Sequence, residues 1–116
     1  VDTNIIIYHL KGERKAKSII LDNNIHVSYI TVVETLGYRL NKEEDIVAMK
    51  DLFSTFRVIY SNERIMNYAI ELKREHRMKT PDCLIAATAQ YLDFPLVSAD
   101  ADMFDLEGID TVNFYV

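Results

Sequence analysis

The feature that most constrains this chain is an alternation. Short runs rich in β-branched and aromatic residues are separated by longer runs with helical periodicity. Residues 1–3 read as the end of a strand, and His26–Ile30, Phe56–Tyr60, Leu96–Ser98 and Val112–Val116 read as further strands. Between them, Asn4–Leu10, Glu13–Leu21, Thr31–Leu40, Glu43–Phe53, Glu63–His76 and Pro81–Leu92 read as helices. In Glu63–His76 the residues Ile65, Ala69, Leu72 and His76 recur at helical spacing, and Pro81–Leu92 carries Ala86, Ala87 and Ala89, strong helix formers. Strands alternating with helices demand right-handed crossovers and a parallel sheet covered on both faces. The fold class is therefore α/β, a three-layer sandwich. At 116 residues and 49% apolar, the chain suffices for one domain, 1–116, around one core.

Several classes are excluded. No apolar run approaches the roughly 18 residues a membrane span needs. The single cysteine, Cys83, permits no internal disulfide and no cysteine-rich zinc site, and is read as a small core residue in a reducing cytoplasm. No signal peptide is visible, and Val1 is not an initiator methionine, so residues upstream are expected.

Functional groups of parallel sheets gather beyond the carboxyl ends of the strands. Four acids fall there. Asp2 follows the first strand, Glu34 lies one turn beyond the second, Asp82 opens the helix after Thr80-Pro81, and Asp100 follows Leu96-Val97-Ser98. Acids converging from distant segments repel one another unless a cation bridges them, and hard oxygen ligands suit Mg²⁺ or Mn²⁺. Each acid also has an ordinary structural explanation. Thr31 and Glu34 have capping-box spacing; Asp82 suits a helix first turn after a threonine cap and an N1 proline. Asp2 suits the cap of the first helix, and Asp100 that of Ala101–Leu106. The signal is the coincidence of all four at one edge.

The net charge of −5, from 18 acids against 13 bases, looks unfavourable for a nucleic-acid binder. Setting aside four metal-bound acids leaves 14 against 13, and a divalent cation adds positive charge where phosphate arrives. Two basic stretches, Lys11 to Lys17 and Lys73 to Lys79, are candidates to meet phosphates, although a solvated helix face is the default for such runs. His9, His26 and His76 lack metal-ligand spacing. Tyr29, Tyr38 and Phe53 are expected to be exposed and available for self-association.

Four segments, Val1-Asp2-Thr3-Asn4, Thr31-Val32-Val33-Glu34, Thr80-Pro81-Asp82-Cys83-Leu84-Ile85-Ala86-Ala87 and Leu96-Val97-Ser98-Ala99-Asp100, resemble in order the signature of PIN-domain nucleases. More narrowly, the chain resembles VapC-like toxins of toxin–antitoxin pairs. The resemblance implies a central parallel five-stranded sheet ordered 3-2-1-4-5, and endoribonuclease activity dependent on Mg²⁺ or Mn²⁺. It implies that Asp2, Glu34, Asp82 and Asp100 are the metal-binding and catalytic acids. Thr3, Asn4 and Ser98 are then outer-shell or substrate-positioning groups. It further implies a homodimer and a cognate antitoxin that blocks the acidic site. Family members often carry another acid or histidine where this chain has Met103. Either Asp102 takes that role or one outer ligand is absent, which bears on a second metal rather than the first.

Rival readings are a PIN nuclease of RNA processing without an antitoxin, and a silent PIN-like binding module. A phospho-receiver domain is disfavoured because Phe56–Tyr60 is followed by Ser61-Asn62-Glu63, with no acceptor aspartate.

Overall fold

The computed structural model describes every residue from Val1 to Val116. In chain order the elements are α1 (Thr3–Leu10), α2 (Arg14–Asp22), β1 (His26–Ser28), α3 (Tyr29–Leu36), α4 (Glu43–Ser54), β2 (Arg57–Ile59), α5 (Glu63–Glu75), α6 (Thr80–Leu92), β3 (Leu96–Ser98) and β4 (Thr111–Asn113). A 3₁₀ turn, Ala101–Met103, follows β3. Apart from the strand end read at residues 1–3, the order of elements matches the sequence reading, but the strands are shorter than expected.

The strands are parallel and fall into two pairs. Val27 of β1 lies opposite Val58 of β2, and Val97 of β3 lies opposite Val112 of β4. The continuous five-stranded sheet is thus not what these strands form; there are two two-stranded sheets. Residues 1–2, read as a strand end, bridge them without forming a strand. The Val1 nitrogen donates to the His26 carbonyl at 3.0 Å, and the Asp2 amide donates to the Val97 carbonyl at 2.8 Å. Thr3, assigned to that strand from the sequence, already belongs to α1.

The period-2 alternation of strands divides the apolar interior in two. Val27, Val58 and Val97 face a cluster built from Ile5, Ile6, Ala16, Ile20 and Phe53 of α1, α2 and α4. Leu96 and Ile59 face the other cluster, built largely by Ile65, Ala69 and Leu72 of α5 and the body of α6. Helix α6 buries Cys83, Ile85, Ala86, Ala87, Thr88 and Ala89, nearly its whole circumference. Its alanines have both the propensity to be helical and the small volume that lets α5 and β1 come close. At the end of α1, Gly12 adopts φ +84° while its amide bonds the His9 carbonyl and the Glu13 amide reaches back to Tyr8. This Schellman closure turns the chain sharply into α2, and glycine takes that φ without strain.

Three local expectations are corrected. Helix α3 begins at Tyr29, not Thr31, because Ser28 caps it: the Ile30 amide donates to the Ser28 hydroxyl at 3.1 Å. The Thr31–Glu34 capping box therefore does not exist. Helix α6 begins at Thr80, so its N-cap is Lys79 and proline occupies the second position. Phe53 is buried (7% exposed) in the α1/α2/α4 cluster, edge-on to Phe56, whereas Tyr38 is exposed. Cys83 is a core residue, as read. No helix is long and apolar enough to cross a membrane.

Candidate acidic site

Asp2 is the organising residue. It is only 4% exposed, and each of its oxygens is held. Oδ1 accepts from the Thr3 amide at 2.7 Å, capping α1. Oδ2 accepts from the Ser98 hydroxyl at 2.6 Å and from Asn4 Nδ2 at 3.3 Å. Asn4 in turn accepts from the Ala99 amide, and Ser98 accepts from the Asp100 amide at 3.0 Å. One buried carboxylate thereby joins the start of α1 to the carboxyl end of β3. Burial pushes the Asp2 carboxyl above its ordinary range, Ser98 and the Thr3 amide pull it back, and Asp100 pushes it further up.

Glu34 reaches the same region from α3. Thr3 Oγ1 lies 2.7 Å from Glu34 Oε1 and 3.0 Å from Thr31 Oγ1. A carboxylate only accepts, so Thr3 donates to Glu34 and accepts from Thr31. Thr31 is fully buried and serves as the base of this relay. The sequence reading took it for a helix cap; only the 28-residue separation bridged by its contact with Thr3 exposes its role.

Asp82 stands in the first turn of α6. Burial raises its proton affinity first, then the charges of Asp2, Asp100 and Glu34; Lys79 alone opposes them, and no hydrogen bond stabilises the charged form. Acids from α3 and from the segments around residues 2 and 100 thus act on one carboxyl of α6. Asp100 accepts from the Asp102 amide at 3.0 Å, capping the 3₁₀ turn.

The ordinary roles weighed for Asp2 and Asp100 are therefore real, that for Glu34 is not, and Asp82 keeps only its favourable place at the helix start. Asp102 is exposed, and its carboxyl is not among the charges acting on Asp2 or Asp82. Met103 is fully buried in the α5/α6 cluster, so the position where relatives often carry a ligand is here a core anchor. Of the histidines, His26 stacks edge-on with Phe94, and His9 is held below its ordinary range by burial and Lys17.

In kind, the donors fit a hard divalent cation: Asp82 is unpartnered, and Glu34 and Asp100 each use one oxygen in the hydrogen bonds above, leaving the other free. No three of the chain's acidic, histidine or cysteine side chains stand in a closed ligand cage, however.

A family model for the PIN domain matches residues 1–109. Among solved structures, the chain is similar to a toxin–antitoxin complex from Klebsiella pneumoniae (29% identity, 97% of this chain and 93% of that one, TM-score 0.83). It is also similar to VapBC-1 from nontypeable Haemophilus influenzae (25% identity, 97% and 94%, TM-score 0.77). VapBC2 from Rickettsia felis, bound to a DNA fragment from its promoter, shares the fold at 20% identity (97% and 95%, TM-score 0.80). A comparison with curated proteins gave no match. With 109 of 116 residues covered by the family model, the chain belongs to the PIN domain family.

Proposed function

We propose that residues 1–116 form a metal-dependent endoribonuclease, the toxin of a toxin–antitoxin pair, acting in the cytoplasm. The observation that carries this reading is the hydrogen-bonded run Glu34–Thr3–Asp2–Ser98–Asp100, which gathers three acids from distant segments, with Asp82 within reach of their charges. Like charges drawn toward one another from distant segments are costly without a cation to share. Asp2, Glu34, Asp82 and Asp100 would hold Mg²⁺ or Mn²⁺, which when bound supplies a polarised phosphate oxygen and a water of lowered pKa.

The chain's own residues then have separable tasks. Ser98 and Asn4 fix the rotamer of Asp2, and Ser98 favours its charged form. Thr3 aims Glu34 and leaves its second oxygen free. Asp102 serves through its backbone amide, orienting Asp100. With Met103 in the core, one metal is better supported than two. The same reading takes residues 1–2 as the centre of a five-stranded order 3-2-1-4-5, since they bond to both sheets.

Similarity to toxin–antitoxin structures supports a cognate antitoxin as partner, and a homodimer is part of the same proposal. An acidic pocket attracts arginine, which pairs carboxylates bidentately, so a basic antitoxin segment is the expected inhibitor. The decisive experiment is cleavage of single-stranded RNA by the purified chain with Mg²⁺ or Mn²⁺. Activity should vanish in EDTA and return with metal; activity indifferent to chelator would overturn the mechanism.

A further inference from the structure

Lys79 has a placement that the acidic site does not yet use. The loop before α6 is anchored from below: the Met78 side chain is buried, and its carbonyl accepts from Lys73 Nζ at 2.9 Å. The Lys79 carbonyl accepts the first bond of α6, from the Cys83 amide at 3.0 Å. Its backbone is therefore held from both sides. Its side chain is exposed and makes no capping bond.

Lys79 is the extended N-cap and Asp82 the third helical residue, one turn on, and the lysine's charge reaches the Asp82 carboxyl. Lys73, in the last turn of α5, is already committed to the Met78 carbonyl. Thr80 and Asp82 begin α6 with no side-chain cap, so the positive end of the helix dipole adds to the field in front of the lysine. Among the charges acting on Asp82, that of Lys79 alone is positive, so a phosphodiester nearing the acids meets an attractive charge on this side.

We infer that Lys79 is a positioning residue that receives a backbone phosphate of the RNA beside the acid cluster. The inference rests on the nuclease reading above and adds to it the direction of substrate approach, across the N-terminus of α6. An ammonium on a flexible stem neutralises a phosphate without reading a base, so the contact selects for a strand's backbone and not its sequence.

The test compares wild type, Lys79→Gln and Lys79→Arg on one single-stranded RNA oligonucleotide. Cleavage kinetics are measured with Mn²⁺, and fluorescence anisotropy with the same oligonucleotide in EDTA over a range of salt. Lys79→Gln should raise KM about fivefold with kcat nearly unchanged, the order expected for one solvent-screened charge contact. Its log–log salt dependence of binding should be shallower by about 0.7, one phosphate contact on a single strand. Lys79→Arg should restore both. If Lys79→Gln instead shifts the half-maximal Mn²⁺ concentration and leaves binding in EDTA alone, the lysine merely tunes the acids and the inference is wrong. Unchanged KM and salt slope in a variant of an active enzyme would overturn it alone. A wild-type chain that neither binds nor cuts RNA would overturn the nuclease reading with it.

Discussion

Ser98→Ala removes one oxygen from the interior and tests how Asp2 is kept charged. Ser98 is 1% exposed, and its hydroxyl both donates to Asp2 at 2.6 Å and accepts from the Asp100 amide at 3.0 Å. Hydrogen bonds to a charged group contribute roughly 1.5–3 kcal/mol, so a loss of about 2 kcal/mol is expected at neutral pH. A chain of this length unfolds with an entropy of roughly 240 cal/mol/K, at about 2.1 cal/mol/K per residue, so the loss lowers Tm by about 8 °C. The pH dependence identifies the cause. Asp2 already sits above its ordinary value of 3.8 because it is buried, and Ser98 is the strongest influence pulling it down. A carboxyl whose pKa is raised by folding binds more protons folded than unfolded in the window above 3.8, so its burial costs stability as pH rises through that window. Removing Ser98 widens the window upward. The variant's deficit should be full at pH 7 and shrink as the pH falls through the raised Asp2 value. Urea unfolding of both proteins in EDTA, at pH 7 and at acidic pH, measures this directly. A deficit below about 0.5 kcal/mol, or one equal at both pH values, would refute the account of Asp2 as a buried charge held by Ser98.

Glu34→Gln keeps an acceptor for Thr3 and Asp82→Asn keeps its shape, giving up only a helix-dipole contribution of about 0.3–1 kcal/mol; both should stay folded by circular dichroism yet lose RNA cleavage. In EDTA the wild-type chain should gain stability as the pH falls from 7 through the raised Asp2 and Asp82 values toward 3.8, because both carboxyls are raised by burial, and the gain should be smaller in Asp82→Asn. Mn²⁺ at a hundred times its dissociation constant should stabilise the fold by about 2.7 kcal/mol, read as a thermal shift that Asp82→Asn reduces. Met103→Asp should unfold the protein instead of supplying another ligand, since it places an unpaired carboxylate in a fully buried position; a folded variant with altered metal stoichiometry would contradict this.

Much of this was legible from local pattern. The order of helices and strands follows from periodicity, and Glu63–His76 differs from the observed Glu63–Glu75 by one residue. The weakest boundary was at residues 28–31. There, β-branched and aromatic residues read as strand up to Ile30, but a hydroxyl at Ser28 caps the backbone into a helix two residues earlier. Propensity cannot weigh that contact, because the same serine fits a strand end equally well. That these acids approach one another was legible in part, since Asp2, Glu34 and Asp100 were placed by chain order after strands and Asp82 by the start of a helix. Of their supports, Thr3, Asn4 and Ser98 came only through the family resemblance and Thr31 was missed, because the contacts of Thr31 with Thr3 and of Ser98 with Asp2 join residues 28 and 96 positions apart. Phe53 was misjudged for the same reason; its helix is amphipathic only in the presence of the α1 and α2 residues that cover it.

The bridging role of residues 1–2 has a mechanical consequence. The two sheets share no strand pairing, and bonds from Val1, Asp2 and Asn4 run across the seam between them. Glu34 extends from the β1 half and Asp100 from the β3 half, so a sliding of one half past the other changes the gap between these acids while leaving every strand pair intact. An ion gripping both acids is therefore a rivet through a shear plane. It should slow hydrogen exchange at the Asp2 and Asp100 amides, which lie on the seam, far more than at the Val58 amide inside one half, so that occupancy of the site is written into the stiffness of the molecule.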